Sequence, residues 1–185
     1  MQVASARWTT ADLDLFTGDN RNRYEIIDGE LFVTKSPHWN HQFTCANIAR
    51  VIGNWSDETG LGKVAIAPGI IFSDADNVIP DVVWASHECL SRLLDESGHL
   101  TGAPELVVEV LSSGEKNEKR DRESKLKLYS NQGVQEYWIC DFKAKKVEVY
   151  RRQQAVLKLV ATLFSEDELI SPLLPEFKCL VSQLF

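Results

Sequence analysis

Two acidic residues lie within apolar stretches of the sequence, where charged side chains are rarely found. Asp81 belongs to VIPDVVWA and Glu109 belongs to ELVVEVL. A buried carboxylate is costly to desolvate, so it requires a cation, a hydrogen-bonding partner or a raised pKa. If the two segments are neighbouring strands, about 4.8 Å apart, both carboxylates can bind one divalent ion. Carboxylate oxygens favour Mg²⁺ or Mn²⁺ over zinc.

Lys125 is the third residue that could take part in such chemistry. In KRDRESKLKLYS it is predicted to share a helical face with Arg122, Leu128 and Tyr129. Next to a divalent ion, its amine could orient or deprotonate an attacking water molecule and stabilise the charge that develops on a phosphate.

Each of these residues also has a purely structural interpretation. Asp81 and Glu109 could face solvent or lie at strand ends, although Pro80 removes an amide donor and favours an edge or a bulge beside Asp81. Lys125 could extend along its apolar neighbours so that its amine reaches solvent. The residues alone leave both interpretations open.

The elements that must position these residues form an α+β pattern, a mixed sheet flanked by helices in a single domain over residues 1–185. Asp28 and Gly29 lie between YEII and ELFVT and predict a tight hairpin. Helical spacing predicts a core helix from about 37 to 59 and a charged helix from about 116 to 131, followed by Gly60 and Gly133. Further strands are predicted at VAIAPGIIF, VIPDVVWA, ELVVEVL, QEYWICDF, KVEVYRR and AVLKLVATLF, and further helices after Thr9 and near CLSRLLDE and FKCLVSQLF.

The composition excludes several classes of protein. No apolar run approaches the ~20 residues that span a bilayer, and the N-terminus has no signal-peptide pattern, so we expect a cytoplasmic protein. The 4 cysteines are scattered without a C-x-x-C pair, which indicates buried thiols rather than disulfides or a zinc site. No nucleotide-binding glycine motif is present, so no organic cofactor is implied.

A nucleic-acid substrate requires a local basic patch, because the net charge is −7. Two stretches, 116–127 and 143–152, are rich in Lys and Arg, and either could instead be a solvated face.

His38 and His41 have a spacing compatible with a metal pair, but capping, surface or supporting roles explain them better. Asp74 and Asp76 resemble part of a calcium loop without its glycine and are better explained by a turn. Trp84, Tyr137 and Trp138 are predicted to be core or interface residues.

The ordered motifs YEIIDGELFV, His41-Gln42, IPDVVW, PELVVEVLSS and KLKLYSNQGVQEYWICD resemble the Uma-type family of restriction endonuclease-like proteins, in the PD-(D/E)XK nuclease superfamily. The resemblance runs from about residue 23 to 141, with a weaker match to the C-terminus. It implies a core sheet with flanking helices, Mg²⁺-assisted cleavage of phosphodiester bonds in DNA, and frequent homodimers.

The resemblance also assigns roles to individual residues. Asp81 matches the aspartate of the PD motif and Glu109 the strand glutamate, while Glu25 matches a further acidic position that joins the metal shell. Leu111 stands where the superfamily usually has its lysine, and Lys125 matches the position proposed to supply that amine from the next helix. The backbone carbonyl of Val110 is implied as an extra metal ligand.

Two other functions use the same residues. The chain could retain the nuclease fold without cutting and act as a nucleic-acid-binding or protein-interaction module, which the negative net charge favours. It could also hydrolyse a small phosphoester, which would require a closed pocket instead of an open basic groove. We expect a metal-dependent endonuclease, with Asp81, Glu109, Lys125 and Glu25 as its catalytic residues.

Overall fold

The computed structural model describes residues 7–19, 21–112 and 114–185 and has a mixed α+β fold. The strands are β1 (Asn22–Ile27), β2 (Glu30–Lys35), β3 (Gly62–Ile66), β4 (Ile70–Ser73), β5 (Asp76–Val78), β6 (Val82–Ser86), β7 (Leu106–Val110), β8 (Glu136–Asp141), β9 (Lys146–Gln153), β10 (Val156–Phe164), β11 (Glu168–Ile170) and β12 (Lys178–Leu180). The helices are α1 (Trp39–Thr59), α2 (His87–Leu93), α3 (Glu115–Lys119) and α4 (Leu126–Gln132), with 3₁₀ helices at Thr10–Phe16 and Val181–Leu184 and a π-helical turn at Arg120–Lys125.

The main sheet has six strands in the order β10-β9-β8-β7-β6-β3. β7 and β8 are parallel, and the other neighbouring pairs are antiparallel. A parallel pair needs a crossover connection, and the chain from α3 through the π-helical turn to α4 forms it. A second sheet has the order β2-β1-β5-β4, and β11 and β12 form a separate pair.

The predicted hairpin is confirmed and joins β1 to β2. Ile27 pairs with Glu30, which leaves Asp28 and Gly29 as the two turn residues. Both have positive φ, 49° for Asp28 and 71° for Gly29. This backbone matches the right-handed twist of the flanking strands, and Asp-Gly is one of the sequences that adopts it most readily.

The two faces of the main sheet bury different cores because successive strand residues point in opposite directions. Val108 and Val110 pack with α1 and the C-terminal segment. Val107 belongs to the other core, with Leu128 and Tyr129 of α4 and residues of the smaller sheet. Glu109 shares the orientation of Val107, so β7 directs its carboxylate toward the crossover helix.

The charged helix predicted from about 116 to 131 is present, but it contains an irregular turn. α3 passes into the π-helical turn at Arg120 and returns to α-helical geometry at Leu126. Single π turns within α-helices change which side chains share a face, and they occur often at functional sites. Lys125 is therefore buried while Arg122 is partly exposed and contacts Glu148, so the predicted common face of Lys125 and Arg122 is wrong.

Three other predicted elements differ from the structure. VAIAPGIIF is two strands in different sheets, because the chain bends at Ala67, which has φ 51°, and at Pro68, which has no amide hydrogen to donate. The first helix is a 3₁₀ helix. The prediction of a helix at FKCLVSQLF is wrong, since that segment forms β12 and a 3₁₀ helix.

Predictions for α1, for the cysteines and for the aromatic core residues are confirmed. α1 buries Ile48, Ile52 and Trp55, and Gly60 follows it in a left-handed conformation. The four cysteines are buried and free. Trp84, Tyr137 and Trp138 lie in the core. No helix in the described part of the chain is long and apolar enough to cross a membrane.

Candidate active site

Lys125 lies at the centre of a buried cluster of charges. Its Nζ atom is 2.8 Å from Glu109 Oε1, 2.9 Å from Glu25 Oε1 and 4.0 Å from Asp121 Oδ1. The side chain is 0% exposed, so the alternative in which its amine reaches solvent does not hold. The structure brings together three of the predicted residues, Lys125, Glu109 and Glu25.

Glu109 is held by two donors from the crossover helix. Lys125 Nζ and the hydroxyl of Tyr129, at 2.9 Å, both donate to its Oε1 atom. Lys125 and Tyr129 are four residues apart and reach the same side of the helix, as predicted. The helix therefore fixes one oxygen of Glu109.

Glu25 reaches the cluster from β1 in the smaller sheet. Its Oε1 atom accepts a hydrogen bond from the backbone amide of Ile79 at 2.9 Å and also contacts Lys125. Its Oε2 atom is buried without a hydrogen-bond partner among the described residues, and Arg120 Nη1 lies 3.7 Å away. Glu25 thus joins the second sheet to the helix and leaves one carboxylate oxygen unsatisfied.

Asp81 lies immediately before β6, not inside a strand as predicted, and its surroundings differ from those of Glu109. Oδ1 accepts from Arg23 Nη1 at 3.0 Å, and Oδ2 accepts from the backbone amide of Val110 at 2.9 Å. His41 Nε2 lies 3.2 Å from Oδ2. The register pairs Val82 with Val108, so Asp81 and Glu109 extend from adjacent strands. Both are buried, which excludes solvent-facing positions.

The π-helical turn adds a second pair of charges to the cluster. Arg120 Nε donates to Asp121 Oδ1 at 2.9 Å, and Arg120 Nη1 donates to Thr34 Oγ1 at 2.7 Å. The Tyr137 hydroxyl donates to the backbone carbonyl of Asp121 at 3.0 Å. These bonds fix the turn against β2 and β8, and so fix the position of Lys125.

The two proposed acidic ligands have opposite protonation tendencies. Burial raises the pKa of Glu109 to about 8, and the attraction of Lys125 only partly opposes this. Burial would also raise the pKa of Asp81, but His41 and Arg23 hold it below its ordinary range. Burial alone would lower the pKa of Lys125, yet the carboxylates of Glu109, Glu25 and Asp121 raise it. At neutral pH, Asp81 is ionised and Lys125 is charged, whereas burial opposes the ionisation of Glu109.

We expect Glu109 to make the metal-free protein less stable as the pH rises. The pKa of Glu109 is 4.5 in the unfolded chain and about 8 in the folded protein. Between these two pH values the folded protein therefore binds one proton more than the unfolded chain. Stability from this group is complete below about pH 4.5 and is lost as the pH rises through about 8, by at most about 1.4 kcal/mol per pH unit.

Urea titrations in EDTA across this pH range would measure the slope, with Glu109→Gln as the matched variant. Glutamine cannot ionise, so the slope should become flatter in that variant. Equal slopes in the two proteins would show that Glu109 does not titrate in this way.

A cleft of about 190 Å³ lies over the two carboxylates. Asp81, Glu109 and His41 line it together with cationic side chains, namely Arg21, Arg23, Lys35 and Arg120. Arg21 and Lys35 are exposed and give the cleft a positive rim in a chain whose net charge is −7, whereas Arg23 and Arg120 are paired with buried carboxylates. An anionic substrate can therefore approach the buried acidic residues.

The donor set of the cleft fits a hard divalent cation. Asp81 and Glu109 offer carboxylate oxygens beside the backbone of Val110, and oxygen donors suit Mg²⁺ or Mn²⁺. A second possible metal site among the described residues consists of His41, Cys45 and Asp81, whose potential ligand atoms lie within 4.8 Å of one another. Burial raises the pKa of the Cys45 thiol well above its ordinary value, and a protonated thiol is a poor ligand.

The other residues singled out in the sequence lie outside this cluster. His38 caps α1 by accepting a hydrogen bond from the Asn40 amide at 3.1 Å. Asp74 is in the turn between β4 and β5, as predicted. Arg23, Arg120 and Asp121 were not predicted, since their roles depend on contacts between segments far apart in sequence.

Comparisons with known proteins identify the fold and the family of the chain. Residues 11–182 match the family described as "Uma2: Putative restriction endonuclease". A solved structure described as "a putative nuclease belonging to DUF820" from Anabaena variabilis is similar, with a TM-score of 0.74 and 19% identity, over 94% of this chain and 96% of that one. No curated protein matches the chain. At this identity the structural likeness establishes a shared fold, and the family match covers nearly the whole sequence. The chain therefore belongs to the Uma2 family, and this membership supports a nuclease-like function.

Proposed function

We propose that the protein is a metal-dependent endonuclease that hydrolyses phosphodiester bonds in DNA. The observation that carries this proposal is the fully buried Lys125, which is paired with Glu25 and with Glu109, a residue that lines the cleft together with Asp81. A buried lysine beside acidic residues at a cationic cleft is suited to phosphate chemistry. Its cost in desolvation is difficult to explain by stability alone.

Asp81, Glu109 and the backbone carbonyl of Val110 would hold Mg²⁺ or Mn²⁺. When bound, such an ion supplies Lewis-acid polarisation of the phosphate and lowers the pKa of water. Asp81 is already ionised, and a bound cation would favour the ionised form of Glu109, which burial disfavours.

Lys125 would position the attacking water and stabilise the negative charge that develops on the phosphate. An ammonium group has three donors, and Glu109 and Glu25 accept from two of them. The third donor would serve a water or phosphate oxygen once the substrate reaches the amine, which is fully buried in the free protein. Lys125 is then a catalytic residue whose position depends on both glutamates.

Glu25 would assist in two ways. It fixes the Lys125 amine through Oε1, and its unsatisfied Oε2 atom can accept a hydrogen bond from ordered water or from a hydrated cation. Arg23 and His41 would orient the Asp81 carboxylate, because each contacts one of its two oxygens.

DNA is the substrate that the cleft favours. Its rim carries the exposed Arg21 and Lys35, and phosphate contacts are made chiefly by such side chains. The resemblance also predicts a homodimer, and sedimentation of the purified protein would test this.

Supercoiled plasmid tests the proposed activity directly. We expect conversion to nicked or linear DNA with Mg²⁺ or Mn²⁺, and no conversion in EDTA. Nicking that persists in EDTA would contradict metal dependence. Binding of DNA without any cleavage, across both metals, would favour the alternative of a nuclease fold that no longer cuts.

A further inference from the structure

The cleft over Asp81 and Glu109 continues into a second groove of about 520 Å³. The two cavities share several lining residues, namely Thr34, Lys35, Ser36, Pro37, His41 and Ser112. The second groove extends away from the carboxylates to His38 and Phe142. A polymer bound across the first cavity would therefore continue into the second.

Two aromatic rings form the far wall of this groove. The rings of His38 and Phe142 are nearly parallel, with an interplanar angle of 11° and centroids 5.8 Å apart. His38 is fixed because its Nδ1 atom accepts from the Asn40 amide. Phe142 lies in the turn between β8 and β9, which Asp141 stabilises by accepting from two backbone amides at 3.0 Å. The rings are thus presented by two fixed turns.

Exposed lysines lie on the segments that carry the rings and line the groove. Lys143 and Lys145 are exposed on the same turn as Phe142, and Lys35 lines the groove. Lysines interleaved with aromatic rings are typical of surfaces that bind single-stranded nucleic acids, where the cations contact phosphates and the rings stack on bases. Lys143 and Lys145 belong to the basic stretch 143–152, which takes no part in the catalytic cluster.

We propose that this groove binds an unpaired nucleobase of the DNA substrate, beside the phosphate that is cleaved. The inference rests on the proposed function and adds a substrate class, DNA that is single-stranded or locally unpaired at the cleavage site. A base inside a duplex is covered on both faces by its neighbours, so it must leave the stack before it can contact the rings.

Binding of fluorescent oligonucleotides in EDTA tests the inference without metal or cleavage. We expect a single strand to bind about tenfold more tightly than the matching duplex, because stacking on one ring contributes about that factor. Phe142→Leu keeps an apolar side chain against the core and should weaken single-strand binding by about tenfold. His38→Asn removes the other ring while keeping a good helix cap, and it should weaken binding even if Phe142→Leu fails to fold.

Phe16→Leu is the matched control. Phe16 also stacks on a ring, that of Tyr24, with centroids 4.2 Å apart, but it does not line either cavity. The Phe16→Leu variant should bind single-stranded DNA as tightly as the unsubstituted protein does. Duplex binding as tight as single-strand binding, or equal effects of Phe142→Leu and Phe16→Leu, would overturn the inference. Because the assay does not require cleavage, these results differ from a failure of the proposed activity, which the plasmid experiment detects.

Discussion

Lys125→Met is expected to lower the rate of DNA cleavage by about 10²- to 10³-fold, because it removes the amine that stabilises charge on the reacting phosphate. The same change leaves Glu25, Glu109 and Asp121 without their shared cation. Loss of one partner from a buried ion pair costs about 3–5 kcal/mol. Plasmid nicking and urea unfolding would measure the two effects separately.

A double variant separates catalysis from folding. Lys125→Met/Glu109→Gln removes one carboxylate together with the amine, so it should recover part of the lost free energy of unfolding without recovering cleavage. Restored cleavage would mean that Lys125 acts only by neutralising Glu109.

Lys119→Met is the surface control for Lys125. Lys119 Nζ is 3.9 Å from Glu123 Oε2, and both side chains are mostly exposed. Exposed pairs of this kind contribute about 0–1 kcal/mol, so stability and cleavage should change little. If Lys125→Met cleaves DNA as fast as Lys119→Met, Lys125 is not a catalytic residue.

Local sequence patterns predicted the elements whose structure is decided locally. The Asp28-Gly29 turn follows from the few residues that adopt positive φ easily. The spacing of Ile48, Ile52 and Trp55 predicted α1, because a long helix repeats its pattern over many turns. Short apolar segments lack this information. The C-terminal FKCLVSQLF has too few residues to distinguish helix from strand, and its pairing with β11 decides the outcome.

Two features of the site required the three-dimensional structure. The π-helical turn before Leu126 changes the helical phase and separates Arg122 from Lys125, and the sequence has no clear signal for it. The contact of Arg23 with Asp81 joins residues 58 positions apart. Asp81 and Glu109 could be found because a charge within an apolar run is unusual, whereas the cations that balance them lie in ordinary polar segments.

Asp81→Asn is expected to abolish both metal binding and cleavage. Removing a charged ligand should eliminate the several kcal/mol that the cation contributes to the transition state, a loss in rate of at least about 10³-fold. Asparagine has nearly the same shape, and its carbonyl oxygen can accept from the Val110 amide, which now donates to Asp81. Calorimetric titration with Mn²⁺ and plasmid nicking would measure the two losses.

Asp74→Asn controls for the loss of one negative charge from this acidic protein. Asp74 is exposed in the turn between β4 and β5, so both metal binding and cleavage should be retained. Excess Mn²⁺ should raise the melting temperature of the unsubstituted protein and of Asp74→Asn, because a ligand that binds only the folded state stabilises it. The melting temperature of Asp81→Asn should not respond. If Asp81→Asn bound Mn²⁺ as the control does, the cation would have to be held by other residues, and Asp81 would serve to orient Arg23 and His41 instead.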